Sequence, residues 1–496
     1  MLHRTGICRV FRSQLPAAVI PSSELSMPSP ARLLTLLWIA LALPCGAAPS
    51  AASEPATQGA PFAVDAAQLT PEYWIQRSPQ AQRPLLDAAQ IAAFNAQLLR
   101  EDASMQDLAQ LPAAMSGDTV RARIQALSAT PTRVLYDAQG RPIAASRLAE
   151  LQQALALDAL SPQVAPRFAL VVRRAALRTF PTTQRVFTDP DDHDIDRFQE
   201  SALYPGTPVA VLHTSADGAW RFVLASNYAA WIAADRIAEG SRGQVLDYAQ
   251  ARAHLVVTGA RVQTAYTPEL PAVSALPLDM GSSLPLRSDW APQQPVNGQL
   301  PIAAHVVQLP IRGDDGRLQL VPALVPRGAD VRLGALPATP AALLRQAFKF
   351  LGERYGWGND YDARDCSGFV LDVYRSLGIA LPRNTGDQAR SPVLRTVAFD
   401  ARAPRAQRLQ QLARLRIGDL IYIPGHVMLV IGHAHGSPWV IHDVAGASYR
   451  DSDGRVQRAA LNGVSVTPLL PLLATDGSPF IDHITRIQRV APIGSP

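Results

Sequence analysis

A chain of 496 residues that is 48% hydrophobic and 18% charged has the make-up of a folded protein of several domains, which excludes a mostly disordered one. The net charge of +5 does not signal nucleic-acid binding. Arg4, Arg9, Arg12 and Arg32 fall in the first stretch, the other arginines are scattered, and Lys349 is the sole lysine, so there is no basic stripe with interleaved aromatics.

The apolar run LLTLLWIALAL (33–43) follows Arg32 and precedes small residues, the layout of a signal peptide and too short to span a bilayer. Residues 1–52 are therefore expected as a leader, with Met27 as an alternative start. The mature protein is expected outside the cytoplasm, periplasmic or extracellular, with no membrane span. Leu43-Pro44 ahead of Cys45 is a poor match to a lipobox, so no lipid anchor is expected there. With Cys8 and Cys45 in the leader, Cys366 is the one remaining thiol and has no internal disulfide partner.

Residues 50–59 read as a linker, and 53–166 as a mainly helical region. Thr70-Pro71 pairs an N-cap with a first-position proline. Asp87 and Gln90 suit a capping box ahead of Ile91, Phe94, Leu98 and Leu99 on one face. From Phe168 the runs FALVV, PVAVLHTS, AWRFVLA and AAWIAA alternate with turns, which predicts a small β-barrel over 167–245. Residues 246–336 repeat that texture, with turns at Thr258-Gly259, Met280-Gly281 and 313–316. They read as a second barrel or as an extension of the first. Thr339-Pro340 opens a last domain, 337–496, beginning with a helix.

The chemistry lies in that domain. The segment DCSGF (365–369) leads into a helix with Phe369, Val370, Val373, Tyr374 and Leu377 on its apolar face and Gly378 as its stop. Cys366 then sits in the first turn, where the helix N-terminus favours a thiolate and is expected to lower its pKa. Asp365 opposes that and needs another task, as a cap or as a binder of substrate charge. A thiol nucleophile needs a base, usually histidine. His426 opens a strand after the turn Pro424-Gly425, and His442 ends the next strand; antiparallel neighbours can place the two rings side by side. Cysteine, then histidine, then a polar partner is the order of papain-like hydrolases. His433 and His435 fall in a glycine-containing turn and receive no role. Cys366 lies 60 residues before His426, and no close ligand pair suggests zinc, so no metal or organic cofactor is expected.

The last domain resembles the NlpC family of cell-wall cysteine peptidases, which have a reduced papain-like fold. The matching blocks are Tyr355-Gly-Trp-Gly358, Asp365-Cys-Ser-Gly-Phe369, Leu381-Pro-Arg383 with Gln388, Gly418-Asp-Leu420, His426-Val and Ile441-His442. The resemblance implies Cys366 as nucleophile, His426 as base and His442 as the orienting residue. Residues 178–237 are similar to the first SH3-like barrel that precedes such peptidases in a subgroup of γ-D-glutamyl-L-diamino-acid endopeptidases. It implies an α+β papain-like domain behind two SH3-like barrels and a helical region, with the first barrel leaning over the cleft. The implied substrate is a murein peptide with a free L-alanyl amine, bound by a monomer. The implied contacts come from Asp365, Ser367, Trp357, Asn384 and Thr385, joined by Glu200 and Tyr228 of the barrel. Asn384 departs from the family, which often has Asp there. Two rivals remain: a wall-binding protein with an inactive domain, and acyl transfer or amide hydrolysis on another substrate.

Overall fold

The computed structural model describes residue 62 and residues 64–492. The leader, Met27, Cys8, Cys45 and the linker at 50–59 lie outside the described residues.

Four helices come first: α1 (Pro71–Gln76), α2 (Ala88–Glu101), α3 (Gly117–Leu127) and α4 (Ala145–Ala154). Pro71 is at the start of α1, where its missing N–H costs nothing. Asp87 caps α2 by accepting the Gln90 N–H at 2.8 Å, while the Gln90 side chain accepts the Asp87 N–H at 2.9 Å. Phe94 and Leu98, four apart, are buried beneath it.

Seven antiparallel strands follow, ordered Gln199–Leu203, Ala175–Arg178, Ala229–Ala233, Trp220–Leu224, Pro208–Thr214, Arg167–Val171 and Ile237–Gly240. Both faces are covered. Ala169, Val171, Val209, Val211, Val223 and Ile232 meet in one core. Their alternates Phe168, Leu170, Ala210, Leu212, Phe222 and Trp231 meet Val120, Ile124 and Leu151 of α3 and α4 in another. This is why the run reads as nearly continuously apolar. Helix α5 (Arg242–Ala249), capped by Ser241, leads out.

The next region holds three small antiparallel sheets. His254–Val257 lies between Ser283–Pro285 and Val331–Leu333; Arg261–Gln263 pairs with Pro277–Asp279; Ala304–Arg312 pairs with Leu318–Pro326 through the 313–316 turn. Leu255, Val257, Leu278, Leu284, Val307 and Val325 fill its core.

The last domain sets α6 (Pro340–Phe348), α7 (Cys366–Ser376) and α8 (Thr385–Arg390) against a six-stranded antiparallel sheet. Its order is Arg395–Ala398, Arg486–Arg489, Leu420–Ile423, His426–Ala434, Ser437–Val444 and Gly463–Pro468. Strand alternation sends Val427, Leu429, Ile431, Ile441 and Val466 toward Phe369, Val370 and Val373 of α7. Met428, Val430 and Val440 go to the opposite face, against Leu469, Leu472 and Phe480. The two-layer packing holds the start of α7 against the start of the His426–Ala434 strand. No helix among the described residues is long and apolar enough to cross a membrane.

Candidate active site

Cys366 is the first residue of α7, and Asp365 caps the helix by accepting the Gly368 N–H at 2.7 Å. Gly368 is there because nothing larger fits: a Cβ would lie 2.2 Å from the Asn359 side-chain oxygen. The Cys366 sulfur is 3.5 Å from Thr385 Oγ1, at the start of α8. The tight turn at Gly425 (φ +77°) folds the chain back so that His426 pairs with Ile423 and opens its strand. His442 lies on the adjoining strand, and His426 Nε2 and His442 Nδ1 are 2.9 Å apart. The far nitrogen of His442, Nε2, meets Thr467 Oγ1 at 3.0 Å. One ring orients the other, and a hydroxyl orients the second.

Two family models match the chain: the NlpC/P60 family over residues 352–464 and an SH3 domain of the SH3b1 type over residues 185–233. The domain that carries Cys366 belongs to the NlpC/P60 family. A probable endopeptidase p60 of Listeria innocua is 47% identical over 51 residues, 10% of this chain and 11% of that protein. A γ-D-glutamyl-L-lysine dipeptidyl-peptidase of Bacillus cereus is 45% identical over 58 residues, 11% of this chain and 17% of that one. The chain thus spans less than a fifth of the length of the curated relatives it matches. Among solved structures, an NlpC/P60 endopeptidase from Photobacterium damselae subsp. piscicida superposes with a TM-score of 0.66, covering 85% of this chain and 97% of its own. At 16% identity that likeness is one of fold.

Around Cys366, the electrostatics correct one expectation. Burial pushes the Cys366 thiol up to about 11, with Asp365 adding to the rise; Thr385 and the Val427 N–H act the other way. The helix N-terminus alone does not hold a thiolate here. Burial also brings His426 down to about 4 and His442 well below its ordinary value. At neutral pH the site holds a thiol and a neutral imidazole.

Asp365 takes the first of the two tasks left open for it, that of a cap. Its Oδ1 accepts from Gly368, Ser367 Oγ and Arg383 Nη1, and its Oδ2 from the Gly358 N–H and Arg383 Nη2 at 2.7 Å. A carboxylate so engaged is a cap and the partner of a buried arginine, with no lone pair left over for a substrate cation. Arg383, which carries no role in the sequence reading, also bonds Ser367 Oγ, Asn359 Oδ1 and Ser201 Oγ of the barrel.

The barrel reaches the loop that precedes α7. Gly358, at φ +59°, lies against the backbone of Gln199 and Glu200, where a Cβ would come within 3.0 Å. Trp357 Nε1 donates to Gln199 O at 3.1 Å, and Arg197 lies over the Trp357 ring. Glu200 accepts from Thr179 Oγ1 at 2.6 Å and from the Tyr228 hydroxyl in a short bond. Arg383 and Asn384 both act on Tyr228, so Glu200 and Tyr228 share one edge of the site with α8. Asn384 donates to Asp387 at 3.0 Å. His433 lies in the His426–Ala434 strand, which continues past a bulge at Gly432, and bonds Leu412 O; His435 is in the turn beyond.

Three neighbours have no role in the sequence reading. Thr467 is 25 residues past His442, and only strand pairing brings it close. Tyr355 is half-buried, and desolvation together with the nearby Cys366 and Asp365 holds it well above the usual tyrosine range. Asp443 has no exposed surface, and neither of its oxygens has a hydrogen-bond partner among the described residues. Burial raises it well above the usual carboxylate range, with Asp365 and Glu353 adding to that and Arg364 opposing.

Proposed function

We propose that the protein is a cysteine endopeptidase that cleaves the γ-D-glutamyl–diamino-acid bond of murein peptides with a free N-terminal L-alanine. The observation that carries this is Cys366 at a helix start together with the hydrogen-bonded row His426, His442 and Thr467 on neighbouring strands, set in an NlpC/P60 domain. Cys366 Sγ attacks the γ-glutamyl carbonyl as His426 takes its proton, and the backbone N–H of Cys366 faces the developing oxyanion. His426 then protonates the departing amine and draws a proton from water to release the thioester. The proton moves within the pair, so burial of both groups is no obstacle to the step. Partial likeness to a γ-D-glutamyl-L-lysine dipeptidyl-peptidase supports the choice of bond. With Asp365 taken up by Arg383, Glu200 of the barrel, flanked by Thr179 and Tyr228, is the carboxylate for the substrate's ammonium. Export, action on released peptides and a monomeric state complete the reading.

The test is mass spectrometry of products from defined peptides. L-Ala-γ-D-Glu-diaminopimelate is expected to yield L-Ala-γ-D-Glu, and its N-acetyl analogue to be cut at least about tenfold more slowly. Glu200→Gln should narrow that gap. Equal rates on the two peptides would falsify the recognition of the amine.

A further inference from the structure

We propose that a cleft at the far end of the peptidase sheet is a second, non-catalytic binding site, holding glycan-linked stem peptides of murein through their carboxylates. It rests on the murein reading above. The cleft, of about 810 Å³, lies between the segment from Trp74 to Leu85 and the sheet end formed by Gly418, Gly432 and Arg489. His426 begins the strand on which Gly432 lies, which puts the cleft about 20 Å from the nucleophile.

Five guanidinium groups line it, from Arg77, Arg83, Arg395, Arg416 and Arg489, and no aspartate or glutamate does. Arg489 is paired with the buried Asp419, and Arg77 stacks on the Tyr73 ring at 3.6 Å. The side chains of Arg83, Arg395 and Arg416 are exposed and have neither hydrogen bond nor ion pair among the described residues. Arg395 and Arg489 are direct ladder partners, which brings the exposed Arg395 beside the cleft's paired arginine.

The planar fork of arginine matches carboxylate geometry. Apolar side chains share the lining with them: Trp74, Leu85, Leu415 and Ile417. Trp74 is seated there because Gly432 has no Cβ to displace it. Arginines interspersed with apolar side chains suit a peptide in which methyl groups alternate with carboxylates better than a sugar-phosphate chain. An acylated stem suits it further, since it has lost its terminal ammonium, the group the catalytic site is proposed to demand. The two sites then divide the wall, one holding attached stems and the other cutting released ones.

The experiment is co-sedimentation with purified murein stripped of phosphate polymers, in a Cys366→Ala background so that no bond is cut. R83Q/R395Q/R416Q should bind about tenfold more weakly than its parent, with an unchanged melting curve. Amidation of the murein carboxyls should weaken the parent to a similar degree. With Cys366 restored, the triple variant should cut soluble L-Ala-γ-D-Glu-diaminopimelate at the parent's rate. Undiminished binding by the triple variant overturns the proposal. So does binding that survives amidation but yields to inorganic polyphosphate, which would make the cleft a phosphate site. Lost binding in the triple variant, when the enzyme with Cys366 intact leaves the soluble peptide uncut, keeps the cleft and overturns the hydrolase reading instead.

Discussion

At Cys366, burial outweighs the helix N-terminus, and that has a measurable consequence. A thiol pushed up to about 11 beside an imidazole brought down to about 4 is not a resting ion pair. Alkylation of Cys366 by iodoacetamide in the peptide-free enzyme should therefore climb steadily above about pH 8. A plateau between about pH 5 and pH 8 would show a standing thiolate–imidazolium pair and sink this view. Asp443 offers a second test. Its carboxyl faces Asp365, Glu353 and Arg364, and burial holds it in the protonated form when folded. Between the ordinary carboxylate range and its own raised value, the folded chain keeps a proton that the unfolded chain has released. Stability contributed by this group is thus lost as pH rises through that window. Asp443→Asn should raise the melting temperature at pH 8 and leave it nearly unchanged near pH 4; a uniform shift at both would mean that ionisation is not the cause.

Among the elements, local signals served well where chemistry is local. The cap at Asp87, the proline opening α1 and the cysteine at the start of α7 are set by neighbours in the chain, and the sequence shows them directly. Arg383 meets Asp365 across 18 residues and Ser201 across 182, and Thr467 meets His442 through strand register. No spacing rule reaches such partners, so the cap at Asp365 is legible in the sequence and its pairing with Arg383 is not. Gly368 shows how far the element depends on these distant groups. In a helix, alanine is favoured over glycine by about 1 kcal/mol. At this site its methyl would collide with Asn359, which holds Arg383, which in turn neutralises Asp365. Gly368→Ala should lower kcat/KM and lower the melting temperature despite its better propensity. Unchanged values would mean that the loop gives way freely.

Across the molecule, one buried carboxylate joins the barrel, the second β region and the NlpC/P60 domain. Asp279 Oδ1 accepts from Arg174 at 2.6 Å and from Arg364 at 3.0 Å. Arg174 also donates to Asn359 O and Ala363 O, both at 2.9 Å, gripping the loop ahead of Cys366 from the barrel side. Arg364, two residues before Cys366, is wholly buried and bonds Asp372, which accepts the Tyr204 hydroxyl from the barrel at 2.7 Å. Removing the shared acid leaves two guanidinium groups short of charge where water cannot compensate. Asp279→Ala should therefore cost about 3–5 kcal/mol in urea unfolding. It should also loosen the barrel from the 357–365 loop, and with it the seat of Glu200 beside the cleft. The expected signature is a lost preference for free over N-acetylated peptide together with lost stability. Glu200→Gln, by contrast, should lose the preference and keep the stability. If Asp279→Ala unfolds more readily yet discriminates as its parent does, the barrel is held by its apolar contacts, and the charge network sets stability alone.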